Sequence, residues 1–153
     1  PEYRLFTNKL NYFTADIVKG RADYVVDITD IGFEDKTFDY IIANHVLEHI
    51  PDEKKAISEL IRCLKDDGTI ILSFPYSLDT NTLEDKNIVS IEDREKYYGQ
   101  HDHVRLYGQD YKERLENYGL RVSVYKPVEL LDKANIEKHR FIEEDIVILC
   151  KKR

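Results

Sequence analysis

The chemistry-bearing residues of this chain fall into three groups. The densest is His101-Asp102-His103, with Arg105 and Tyr107 close behind. A His-x-His pair in an extended segment puts both rings on one side, which suits a proton acceptor or a metal. No further ligand accompanies it, so the expectation is a place at a substrate mouth, or else a solvated loop, and no metal. The second group follows a short apolar run: Asn44 and His45, then Glu48 and His49. His45 either lines a reaction site or packs against the next helix. Adjacent helical residues point about 100° apart, so a metal shared by Glu48 and His49 needs a ligand from elsewhere, and none is expected. The third group is a pair of acids, Asp16 and Asp27, each closing a short apolar run. A carboxylate at a strand's carboxyl end can accept hydrogen bonds from two neighbouring hydroxyls, or simply shape a turn.

These groups need elements to hold them. Residues 40–43 (YIIA) predict a strand buried on both faces. Asp52 after Pro51 predicts a helix N-cap, with Glu53 in the first turn. Ala56, Ile57, Leu60, Ile61 and Leu64 make one helical face, and Lys65 in the last turn with Gly68 beyond predicts the stop. Residues 69–74 (TIILSF) predict a second strand, completing a right-handed strand–helix–strand unit. Ligands of such sheets bind beyond the strands' carboxyl ends, which places Asn44, His45 and the exit at residues 75–77 on the working edge.

Upstream, residues 10–15 (LNYFTA) and 24–26 (YVV) predict strands ending at Asp16 and Asp27. Downstream, residues 76–104 lack apolar periodicity, which suggests a lid-like insertion. Within it, Ser90 and Asp93 have capping-box spacing for a short helix over 90–98. Residues 111–118 predict a helix stopped by Gly119, 121–125 an exposed antiparallel strand, and 145–150 a buried strand. Residues 127–144 are irregular or helical. The sum is a single α/β domain over 1–153: a Rossmann-like, mostly parallel sheet with helices on both faces and one antiparallel closing strand.

The net charge of −7 disfavours nucleic acid as a partner. No apolar run approaches a membrane span, and residues 1–153 carry no signal-peptide pattern. Cys63 and Cys150 read as apolar fillers rather than a disulfide, which predicts a cytoplasmic protein. The chain begins with Pro1, so either an initiator methionine was removed or the sequence starts inside a larger, N-terminally truncated domain.

The stretch VDITDIGFEDKTFDYIIANHVLEHIPD, preceded by Asp16 and followed by LKDDGTIILSFP, resembles class I S-adenosylmethionine-dependent methyltransferases of the small-molecule, type 11-like kind. The resemblance implies an enzyme that moves a methyl group from S-adenosylmethionine to a small molecule by in-line displacement. It implies that Asp16 holds the ribose hydroxyls, that Asp27 accepts from the adenine amine, and that the Ile28 backbone meets the ring. Asn44 and His45 match the strand exit along the methionine portion, and His45, His101 and His103 are the candidate bases for a protonated acceptor. Glu2 matches the tail of an A-P-E variant of the family's first loop. The family's first strand itself should lie upstream of residue 1. Without it, residues 10–15 and 40–43 each have an open edge. Three remedies follow: direct pairing of those two strands, which is the leading expectation; insertion of residues 3–7; or a homodimer in which a second copy lends a strand. A non-catalytic methyltransferase-like remnant, acting as a binding or assembly partner, is the alternative function.

Overall fold

A computed structural model describes residues 11–142 and 144–153. Two short strands come first, β1 (Ala15–Asp16) and β2 (Tyr24–Val25), paired in parallel as a unit of their own. Then come β3 (Phe38–Asn44), a 3₁₀ turn (Leu47–His49), α1 (Glu53–Cys63) and β4 (Leu64–Ser73). They are followed by α2 (Ile91–Tyr98), α3 (Tyr111–Asn117), β5 (Leu120–Tyr125), α4 (Pro127–Leu130), α5 (Lys133–His139) and β6 (Val147–Lys152). The main sheet has the order β3-β4-β6-β5, with β3 and β4 parallel and β6 antiparallel to both its neighbours. Three of its four strands therefore share a direction, and β6 is the antiparallel one. Helices join the sheet into the expected mixed α/β architecture.

The local signals act as read. Asp52 caps α1 by accepting from the Lys55 amide at 3.0 Å, and Ser90 caps α2 by accepting from the Asp93 amide at 3.0 Å. Ala56, Ile57, Leu60 and Cys63 bury one face of α1 in a core with Ala43, Ile70, Leu72, Leu115, Leu120, Ile148 and Cys150. Within β4, Gly68, Ile70 and Leu72 are buried, while Thr69, Ile71 and Ser73 are only half-buried.

Three expectations are corrected. First, α1 ends at Cys63 rather than near Lys65, and Leu64 already pairs with Phe38. The next register pair is Tyr40 with Thr69, so the chain bulges through Asp66 and Asp67. Gly68 is not a helix stop. A Cβ there would lie 2.8 Å from the Leu64 side chain and 3.0 Å from the Asp39 carbonyl oxygen, so close packing is what calls for glycine. Second, β3 is not buried on both faces: Tyr40 is 68% exposed and only Ala43 is buried. The cause is position, since β4 is its only ladder partner among the described residues. Third, the strand ending at Asp16 does not pair directly with β3; it pairs with β2. Insertion of residues 3–7 concerns positions outside the described residues, as does the expectation for Glu2.

The join between the two sheets is aromatic. Phe13, Tyr24, Phe33 and Phe38 pack in one cluster, with ring centroids 5.2 to 6.2 Å apart. Arg62 of α1 fixes the loop between the sheets, donating to the carbonyls of Ile31 at 2.6 Å and Phe33 at 2.8 Å.

Residues 76–110 are stitched together. The Ser77 amide donates to the Tyr107 carbonyl at 2.8 Å, Leu83 and Leu106 exchange backbone bonds, and the Gln109 amide donates to Thr80 at 2.9 Å. No helix is long and apolar enough to cross a membrane among the described residues.

Candidate functional site

The aromatic cluster gathers the starting ends of β1, β2 and β3, so their carboxyl ends lie on the side away from it. Asp16 ends β1 and is half-buried; its Oδ1 accepts from the Val18 amide at 2.7 Å. Asp27 lies just past β2, exposed, and its Oδ1 accepts from the Thr29 amide at 2.8 Å and hydroxyl at 2.7 Å. The Thr29 amide bond, then its hydroxyl bond, hold the Asp27 carboxyl below the usual range. In both residues Oδ2 has no hydrogen-bond partner among the described residues. Each turn thus uses one oxygen and presents the other. Ile28 is half-buried and packs on the core.

At the end of β3, Asn44 is half-buried beside Ser73 of β4. His45 follows with φ 53°, a left-handed conformation unusual for a side-chain-bearing residue. Its amide still donates to the Ser73 carbonyl at 2.8 Å, so the ladder fixes the kink. The kink turns the His45 side chain outward, 64% exposed, with Nδ1 3.2 Å from Oε1 of the buried Glu48. If Nδ1 carries the proton, Nε2 is left as an acceptor backed by a carboxylate, the arrangement of an oriented base.

Behind this pair lies a cluster that sequence reasoning missed. Glu48, His49 and His103 each offer a ligand atom within 4.8 Å of the others, and the rings of His49 and His103 pack edge-on at 4.7 Å. His103 is buried and His101 exposed. The expected extended segment is a turn, closed by the His103 amide on the Gln100 carbonyl at 3.2 Å, so the two rings do not share a side. The outside ligand that Glu48 and His49 lacked in sequence is His103, and no local pattern pairs residues so far apart.

Arg105 and Tyr107 are neither at a mouth nor in a solvated loop; both are fully buried. Arg105 donates to the carbonyls of Leu47, Ile50 (2.7 Å) and Pro51 (3.3 Å), and to Glu84 at 2.7 Å. Glu84 also binds Arg114, and Arg114 binds Glu53 at 2.5 Å. Glu53 further accepts from the hydroxyls of Tyr107 at 2.5 Å and Tyr118 at 3.0 Å. Burial pulls the Glu84 carboxyl up, but Arg105 and Arg114 together outweigh it and leave it below the ordinary range. Burial, then Glu53, push the Tyr107 phenol well above its ordinary value. The alternating chain holds the 3₁₀ turn, and therefore Glu48 and His49, against α1 and α3.

Further along the same edge of the sheet, where β5 ends and β6 begins, Tyr125, Pro127, Leu130, Leu131, Phe141, Val147 and Leu149 line an apolar groove of about 330 Å³. It lies at β5 and β6, roughly 10–14 Å across the sheet from β3 at the usual strand spacing. A second cleft, of about 350 Å³, is lined by α3 residues with Asn81 and Asp110. Neither is lined by Asp16, Asp27, Asn44 or His45.

The profile of the methyltransferase-domain family matches residues 6–123. Arsenite methyltransferase of Aquipseudomonas alcaligenes is 27% identical over 79% of this chain, and an uncharacterised protein of Methanocaldococcus jannaschii 27% over 71%. The chain spans only 34% and 53% of the lengths of those two relatives. Among solved structures, a Pyrococcus horikoshii protein superposes with a TM-score of 0.59 at 18% identity, covering 99% of this chain and 76% of that one. A SAM-dependent methyltransferase of Archaeoglobus fulgidus gives 0.56 at 19%, covering 90% and 74%. At such identities the superpositions speak for the fold alone.

Proposed function

The chain belongs to the methyltransferase-domain family, and on that premise we propose that it transfers a methyl group from S-adenosylmethionine to a small-molecule acceptor. The observation that carries the reading is the pair of strand-end acids, Asp16 and Asp27, each with one oxygen taken by its own turn and the other presented. That acceptor set fits a nucleoside: Asp16 for the two ribose hydroxyls, Asp27 for the adenine amine, with the Ile28 backbone against the ring. Asn44 and His45 stand where the methionine portion would run, and Glu2 is the further candidate. When bound, S-adenosylmethionine supplies a methyl group already activated by a sulfonium, so the protein's share is alignment and exclusion of water.

Where the acceptor arrives protonated, His45 takes the proton at Nε2 while Glu48 fixes the ring. His101, exposed, is the second candidate base. His103 is closed off by burial and by its Nδ1 contact with the Tyr98 carbonyl at 3.0 Å. A small acceptor agrees with the net charge of −7 and with the names of two relatives, the arsenite methyltransferase and a phosphoethanolamine N-methyltransferase of Caenorhabditis elegans, 33% identical over 32% of this chain and 11% of its own length. The non-catalytic reading is favoured by one observation, the separation of β1–β2 from the main sheet.

Calorimetric titration of S-adenosylhomocysteine tests both. Binding that Asp16→Ala weakens by about 1–3 kcal/mol, the cost of orphaned hydroxyls, supports the enzyme. Asp27→Asn should lose less, because an amide oxygen still accepts. Unchanged affinity in a folded Asp16→Ala variant removes that residue from the site. No binding by the unaltered chain supports the non-catalytic reading.

A further inference from the structure

The geometry points to Glu48, His49 and His103 as a site for a divalent first-row transition metal of the zinc class. Nδ1 of His103 lies 3.0 Å from the Tyr98 carbonyl, an obligate acceptor, so it carries the proton and Nε2 is a bare acceptor. Nδ1 of His49 is 3.3 Å from an Asp102 carboxylate oxygen, an ion-pair contact whose negative charge favours the proton on Nδ1. Oε1 of Glu48 is occupied by His45, while Oε2 is buried and has no partner among the described residues. Glu48 and His103 are 1% and 5% exposed. Three acceptors thus converge with no donor among them, and burying an unpaired carboxylate oxygen is costly. What the cluster lacks is positive charge.

The donor set says which charge. Two neutral imidazoles and one carboxylate suit zinc and its neighbours rather than magnesium or calcium. The carbonyl and carboxylate behind the two rings are the outer contacts that fix a metal-binding tautomer. Ligands about 2.1 Å from a shared ion lie roughly 3.4 Å apart, so the cluster, at up to 4.8 Å, draws in by up to about 1.4 Å on loading. A fourth, open position would hold water beside His45. The site does not depend on the methyl-transfer reading, because the ion is bound without cofactor.

The test uses chain freed of metal by a chelator, titrated with Co²⁺ and followed by visible absorption, and with Zn²⁺ by calorimetry. One equivalent should bind each, with the intense spectrum of four-coordinate cobalt. His49→Ala and His103→Gln should each weaken binding by at least about 100-fold, and Asp102→Asn, which removes an outer contact, by about 10-fold. His139→Ala, on α5, should change nothing. If His103→Gln does not fold, His49→Ala, at a partly exposed position, decides alone. Failure of Co²⁺ to bind, binding undiminished in His49→Ala, or loss in His139→Ala would overturn the site. So would a nitrogen NMR signature of doubly protonated His49 or His103 at neutral pH, since the missing charge would then be a proton.

Discussion

Arg105→Met removes a guanidinium while leaving a flexible apolar chain in most of its volume. Arg105 is wholly buried, and its donors serve three carbonyls and Glu84. Removing one partner of a buried ion pair costs about 3–5 kcal/mol. Two features place the loss in the lower part of that range. Glu84 is 33% exposed and keeps Arg114, and Pro51 is exposed, so water can reach its carbonyl. The Leu47 carbonyl keeps the Ile50 amide at 3.2 Å, so the half-buried Ile50 carbonyl is the one that loses its partner. The expected loss is therefore about 3–4 kcal/mol, or roughly 6–16 °C in Tm at about 2–4 °C per kcal/mol for a chain of this size. Urea unfolding followed by circular dichroism measures it. Arg105→Lys, one point charge in place of a fork, should recover less than half. The double variant with Glu84→Gln should be less destabilised than the sum of the singles by at least about 1 kcal/mol. A loss under about 1 kcal/mol for Arg105→Met, or strict additivity, would refute the picture of a continuous buried ion chain.

The folded-state value of Glu84 lies below its unfolded value of about 4.3. Its contribution is therefore complete above about pH 4.3 and lost as pH falls through the lower folded value; stability should decline less steeply in that acid window in Glu84→Gln, and equal slopes would count against it. Gly108→Ala would place a Cβ 2.1 Å from the Asn81 carbonyl carbon and 2.3 Å from Thr80 O and Thr82 N, all backbone, so a loss of about 3 kcal/mol is expected. Gly32→Ala meets nothing within 4 Å and should stay within about 0.5 kcal/mol; similar melting of the two variants would sink the contrast. Burial pushes the Cys150 thiol up to about 12 and raises Cys63 as well, so a disulfide thiol reagent at about pH 8 should react with neither until urea is added. Rapid reaction of the folded chain would contradict that.

What the sequence disclosed follows the range over which each residue acts. Asp52 and Ser90 cap helices three residues away, so spacing alone reveals them. Residues 40–43 announce a strand by composition, but the exposure of Tyr40 depends on which strands flank it, and that is not local. Gly68 was read as a helix stop, and only the position of Leu64 reveals the close approach that calls for glycine there. The polar density around His103 and Arg105 was visible. Its burial was not, because the partners Leu47, Glu48 and Glu84 stand far off in sequence. The acids at the strand ends were legible because a strand's end and its following turn are written side by side. Whether they hold a cofactor rests with titration.

The aromatic join between the sheets has a bearing on equilibrium. Rings meeting edge to face attract by about 0.5–1.5 kcal/mol a pair and tolerate small slides that a hydrogen-bonded ladder does not. Asp16 and Asp27 ride on one side of that join, and Asn44 and His45 on the other. With no ladder between the sheets among the described residues, we expect the span between them to be a distribution rather than a fixed length. A molecule touching both sides would meet only the fraction of chains in which the span fits, and its apparent dissociation constant would rise by the inverse of that fraction. Once bound, it would narrow the distribution, so that its tightness of binding and the stiffness of the Phe13–Phe38 contact become two readings of one quantity.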